Sequence, residues 1–175
     1  MHDIIIKTER LLLRPLRAAD AEEVFEWVSD ERVSRYMVYN TYTELEQVHK
    51  WLAFVQEDPG TYYFGFERLL DGKLIGSGDI GFNAEKDAWG FGYNFRYDCW
   101  GVGYATEAAK AMIDYVHTNF NARKFVSSHC EPNAASGNVM KKCGLHFVGY
   151  GTFRKLDGSM QMRSMEYEGE IGSIT

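Results

Sequence analysis

The residues best placed to do chemistry in this 175-residue chain lie in one short segment, Trp100-Gly-Val-Gly-Tyr-Ala-Thr-Glu107. Gly101 and Gly103 stand between a strand-like run and a helix-like one, and Thr106 offers a hydroxyl in the first helical turn. The N–H groups that open a helix have no partner within it, and glycine lets that backbone approach a phosphate closely. The segment is therefore a candidate anion site that suits a pyrophosphate. A Gly-x-Gly pair alone fits an ordinary turn equally well. Two familiar phosphate motifs fail. Thr106 occupies the third glycine position of a dinucleotide fingerprint, no βαβ unit opens the chain, and no acid stands at the ribose position. No Gly-Lys-Ser/Thr follows, as a P-loop requires.

The elements that must position this segment are short and punctuated from end to end. Arg10 to Leu16 is a strand-like run closed by Pro15. Asp20 with Glu23, and Thr43 with Glu46, have the spacing of capping boxes that open two helices. Val24, Trp27 and Val28 form an apolar stripe on the first. Leu45, Val48, Trp51, Leu52 and Val55 form one on the second. Strands follow at Thr61 to Arg68, Lys73 to Phe82 and Ala88 to Phe95, the first two joined at Asp71-Gly72. A helix over Thr106 to Phe120, a strand over Lys124 to Cys130 and a short helix over Ser136 to Lys142, ended by Gly144, come next. A hairpin around Asp157-Gly158, from His146 to Leu156 and Ser159 to Tyr167, closes the chain. The order predicts a single α/β (α+β) domain over residues 1–175, with a central mixed, mostly antiparallel sheet flanked by about four helices.

Composition agrees with a globular protein. Hydrophobic residues make up 45% and charged residues 25%, so the chain can bury a core. A formal charge of −6 argues against nucleic acid and favours cationic partners. The three cysteines, Cys99, Cys130 and Cys143, lack metal-ligand spacing and read as free thiols of a reducing compartment. No stretch has the ~18 apolar residues of a membrane span. A cytoplasmic address without membrane or metal is expected.

Three stretches resemble the GNAT acyltransferases, in the form of the RimJ/RimL-type branch. They are Trp-Gly-Val-Gly-Tyr-Ala-Thr-Glu-Ala108, the opening Thr8-Glu-Arg-Leu-Leu-Leu-Arg-Pro-Leu16, and Glu131-Pro-Asn-Ala-Ala-Ser-Gly-Asn-Val-Met-Lys-Lys-Cys-Gly144. They stand in the family's order, and the likeness spans residues 8 to 167. The resemblance implies that acetyl-coenzyme A is the co-substrate. The backbone of Asn94 and Phe95 would pair with the pantetheine arm, and the amides of Trp100, Gly101, Val102, Gly103, Tyr104 and Ala105 would hold the pyrophosphate with Thr106. Asn133 would bind beside the pantetheine, and Ser136 would protonate the departing thiolate. Asp98 departs from the Gln or Arg that the wider family carries three residues before the first glycine.

Acetyl transfer to an amine needs a proton acceptor, a polarised carbonyl and a proton donor for the thiolate. Ser136 would equally cap its helix, and Asn133 would equally serve as a turn residue. Met140 occupies the position of the tyrosine that many family members use as the acid, and it cannot donate a proton. Two residues compete as base. His129 ends a strand that should point at the thioester, and histidine titrates near pH 6.5; it would also suit a hydrogen-bonded core position. Asp79 lies inside an apolar strand, where an unpaired carboxylate is costly. Gly90 replaces the fourth-strand glutamate of many branch members, and a water relay is a further option. Cys143 lacks the electropositive partner that a nucleophile needs.

The acceptor would enter opposite the cofactor, where Arg35, Tyr36, Met37, Tyr39 and Tyr42 are candidate pocket residues. The branch acetylates protein N-terminal amines, and its relatives act on small amines. Either acceptor fits, from a monomer or a homodimer. A catalytically idle acyl-CoA-binding module is the alternative, motivated by the missing tyrosine and glutamate.

Overall fold

In the computed structural model, residues 2–171 are described. The elements are β1 (Ile6–Lys7), β2 (Leu11–Arg14), α1 (Ala21–Val28), α2 (Glu31–Ser34), α3 (Leu45–Glu57), β3 (Thr61–Arg68), β4 (Leu74–Asn83), β5 (Ala88–Phe95), α4 (Tyr104–Phe120), β6 (Lys124–Cys130), α5 (Ala134–Lys142), β7 (His146–Arg154) and β8 (Gln161–Glu170). One eight-stranded sheet runs β1-β2-β3-β4-β5-β6-β8-β7. Its neighbours are antiparallel except β5 and β6, so the mixed, mostly antiparallel α/β sheet matches the sequence expectation.

Two apolar clusters cover the sheet. In one, Ala108, Ala109, Met112 and Val116 of α4 pack on Phe64, Phe66, Ile80 and Phe125. In the other, Val24, Trp27 and Val28 of α1 meet Val48, Leu52 and Val55 of α3. Burying side chains of this size contributes roughly 1.5–3 kcal/mol each. The apolar stripes read from the sequence are therefore the ones that face the sheet.

The helix starts differ from expectation. Asp20 precedes α1, but its carboxylate is held by Arg14 at 2.9 Å and by the Arg17 amide. Glu23 instead accepts from the Leu74 amide on β4. At α3 it is Gln47 that accepts from the Thr43 and Glu44 amides. At α1 a cation and a strand end take the two carboxylates, and at α3 a capping box forms one residue later than expected, between Glu44 and Gln47. A one-turn helix, α2, for which the sequence reading named no element, follows α1.

Candidate active site

The site is built on a break in the sheet. β5 and β6 pair at Trp89–Phe125 and Gly90–Val126, and then diverge. Ser127 Oγ closes the break by donating to the Phe91 carbonyl at 2.9 Å. Arg96 N–H donates to the Ile75 carbonyl, and antiparallel pairing alternates from there. Asn94, Gly92 and Gly90 thus spend their backbone groups on β4, while those of Phe91, Tyr93 and Phe95 point into the opening. The close approach of the Asn94 and Gly92 carbonyls to Gly76 and Gly78 of β4 agrees.

A cavity of about 800 Å³ runs through this opening. Its far end is the glycine segment. Gly101 has φ 76° and Gly103 φ 89°, left-handed conformations that favour glycine. Gly103 precedes the first turn of the 17-residue α4, so free N–H groups and the positive end of the helix dipole face the cavity. The loop is tied down from the other end of the chain. Arg10 donates from Nη1 to the Val102 carbonyl at 2.8 Å and from Nε to Glu107 at 2.7 Å. Glu107 also accepts from the Arg10 amide and the Thr8 hydroxyl. Burial pushes the Glu107 pKa up, but these bonds outweigh it and hold the pKa below the ordinary carboxylate value.

The middle of the cavity carries the second signature. Ser136 is the third residue of α5 and not its cap. Its Oγ lies 2.9 Å from the Tyr93 hydroxyl, which also lies within donating distance of the Ser136 carbonyl at 3.2 Å. Burial pushes the Tyr93 pKa well above the ordinary phenol value, so the group stays protonated. Asn133 lines the cavity at the N-cap position, and its side chain makes no capping bond. Met140, where a helix tyrosine was wanted, is buried in the core.

His129 borders the cavity, but its useful nitrogen is turned away. Nδ1 lies 2.8 Å from the Cys130 carbonyl, which assigns the proton to Nδ1 and the lone pair to Nε2. Nε2 is buried without a partner and faces Gly137, where a Cβ would stand 2.7 Å away. Asp79, on β4 opposite Gly92, is half-buried in the cavity wall. Burial, with a smaller contribution from Asp58, raises its pKa to about 6.

The near end is formed by α2, the connection after it and β7. Tyr36 and Met37 line the cavity as expected, joined by Val33, Val38 and Phe153. Arg35 and Tyr39 do not. Arg35 is exposed beside the Tyr36 ring, and Tyr39 packs under α1 and α3 against Tyr42. The α2 turn rotates these two side chains away from the opening.

Among the cofactor candidates, Phe95 has its carbonyl bound by Trp100 Nε1 at 3.0 Å. Asn94 reaches the cavity with its side chain, while its backbone belongs to β4. Val102 is exposed, with its carbonyl held by Arg10. Trp100, Gly101, Gly103, Tyr104, Ala105 and Thr106 all line the cavity. Cys143, half-buried on the edge of the core, has its thiol pushed up to about 11 by burial and is no nucleophile at neutral pH.

The sequence reading missed Tyr93, Arg10 and Lys155. Lys155, buried at the end of β7, donates to the carbonyls of Ser34, Met37 and Tyr39 at 2.7–2.9 Å and so holds the connection after α2.

Known proteins share this arrangement. The model of the acetyltransferase (GNAT) domain matches residues 10–146. The Bacillus subtilis (strain 168) protein named "Uncharacterized N-acetyltransferase YnaD" is 30% identical over 152 residues, which is 83% of this chain and 84% of that protein. The solved structure of a GNAT-family acetyltransferase from Bacillus anthracis superposes with a TM-score of 0.81 at 25% identity, covering 94% and 97% of the two chains. The spermidine N-acetyltransferase of Vibrio cholerae, solved with CoA and spermine, shares the fold at a TM-score of 0.78 and 16% identity, over 93% and 96%. A glycine loop on α4 facing a gap between diverging strands is thus the inherited framework of an acyltransferase, and the chain belongs to the GNAT acetyltransferase family.

Proposed function

We propose that the chain transfers the acetyl group of acetyl-coenzyme A to a primary amine by direct attack in a ternary complex, as a RimJ/RimL-type enzyme of the cytoplasm. One observation carries this reading. A single cavity joins the glycine segment to Asp79 through the opening between β5 and β6. Donor and acceptor can therefore meet there from opposite ends.

The amides of the glycine segment and Thr106 would bind the pyrophosphate, with Asn133 beside the pantetheine. The Tyr93 backbone groups and the Phe95 N–H, more than the backbone of Asn94, face the pantetheine arm and thioester. An N–H there would polarise the carbonyl. Asp79, largely ionised at neutral pH, would take a proton from the ammonium to free its lone pair. The amine nitrogen then bonds to the carbonyl carbon, the carbon–sulfur bond breaks, the thiolate takes a proton from Ser136 Oγ, and the second proton shed by the nitrogen replaces it on Ser136. Tyr93 donates to Ser136 as that proton leaves. Asp79 is favoured over His129 because the lone-pair nitrogen of His129 is enclosed by α5.

The test is acetyl-CoA-dependent release of free coenzyme A with a panel of amines. Binding of acetyl-CoA with no turnover on a broad panel would favour the idle module. The Tyr93–Ser136 pair speaks for catalysis, since it supplies a donor where Met140 cannot.

A further inference from the structure

We propose that the acceptor is a singly charged amine carried on an apolar body, with its nitrogen at Asp79 and its body against Val33, Tyr36, Met37 and Phe153. This rests on the acyl-transfer reading above and deepens it. Asp79 is the one carboxylate among the described residues that line the cavity. Val33 and Phe153 are buried and Tyr36 and Met37 half-buried, so the part of the same cavity that they line is apolar and already partly dry. Apolar contact there is favourable at roughly 25 cal/mol per Å².

The other charges in the wall are cations. Arg32 is paired with Asp30 and lies 3.9 Å from the centroid of the Tyr97 ring, which packs on Trp100, and Lys142 ends α5. A second ammonium on the acceptor would leave water and find no carboxylate in the wall. A charge buried without a partner opposes binding and sets specificity by exclusion. The net charge of −6 favours cationic partners in general, and the one lining carboxylate, Asp79, limits the charge that the cavity can pair.

The test is kcat/KM at saturating acetyl-CoA for 2-phenylethylamine and 3-methylbutylamine against 1,4-diaminobutane and spermidine. A Phe-Ala-Ala amide, whose one charge is its α-ammonium, distinguishes a peptide source of the same chemistry from a small amine. The apolar monoamines or the peptide should exceed both polycations by 10-fold or more. Val38→Glu, which adds a second carboxylate at the exposed rim, should narrow that gap. Diaminobutane or spermidine equal to or better than every monoamine overturns the inference and leaves acyl transfer standing. Acetyl-CoA binding by calorimetry with no turnover on any amine overturns the acyl-transfer reading itself, and the inference falls with it.

Discussion

The Tyr93 hydroxyl lies 2.9 Å from Ser136 Oγ, bridging β5 to the first turn of α5 across the gap in the sheet. If Ser136 delivers the proton to the thiolate, Ser136→Ala lowers kcat about 10²-fold with little change in acetyl-CoA affinity. Tyr93 acts through Ser136, so Tyr93→Phe costs less, on the order of 10-fold. The double variant should be no slower than Ser136→Ala, because the second residue works only through the first. Additive losses in steady-state kinetics would separate the two roles.

Asp79 sets a pH dependence in two measurements. Its pKa of about 6 in the folded protein lies above the ordinary 3.8. The folded state therefore holds more protons between those values, and stability falls as pH rises through that window. Asp79→Asn should raise Tm at pH 8, by stabilisation on the order of 2 kcal/mol, and change little at pH 3. As the base, Asp79 also gives kcat/KM an acid limb near pH 6, which the Asn variant loses with most of the rate. His129→Gln should retain activity within a few-fold.

Glu107 is a positioning residue for the donor loop. Glu107→Ala removes the acceptor of bonds from Thr8 and Arg10. Loss of about 2 kcal/mol in denaturant unfolding is expected. Acetyl-CoA binding should weaken about 10-fold by calorimetry as the Arg10–Val102 tie loosens. Turnover at saturation should stay within three-fold of wild type.

Lys155 acts on the acceptor side alone. Its ammonium, with a pKa lowered by burial, satisfies three carbonyls of the connection that carries Met37. Lys155→Met leaves those carbonyls without a donor and should cost about 2–4 kcal/mol. The acceptor KM should rise 10-fold or more while the acetyl-CoA KM stays put. Equal changes in both would show a general loss of structure.

Much of this was written locally. The strands Ala88–Phe95 and Lys124–Cys130 and the glycine loop sit where their residues placed them. Hydrophobic period and turn chemistry act over a few residues and can be read directly. The capping box at Asp20 was not realised, because Arg14 holds Asp20 and the Leu74 amide holds Glu23, and the one expected at Thr43 formed one residue later, between Glu44 and Gln47. Arg35 and Tyr39 were read as pocket residues, yet α2 turns them away.

Sequence by itself determined that a glycine-opened helix start lies after a strand, with Asn133 and Ser136 at the start of a later short helix. Positive φ and unpaired N–H groups are properties of neighbouring residues. Tertiary structure alone decided that Tyr93 reaches Ser136, 43 residues away. It also decided that Nε2 of His129 is closed off by Gly137, and that Lys155 holds a connection 116 to 121 residues earlier. Those outcomes depend on where β5 and β6 part and how α5 packs on the gap. Such distances arise only when remote elements share one core.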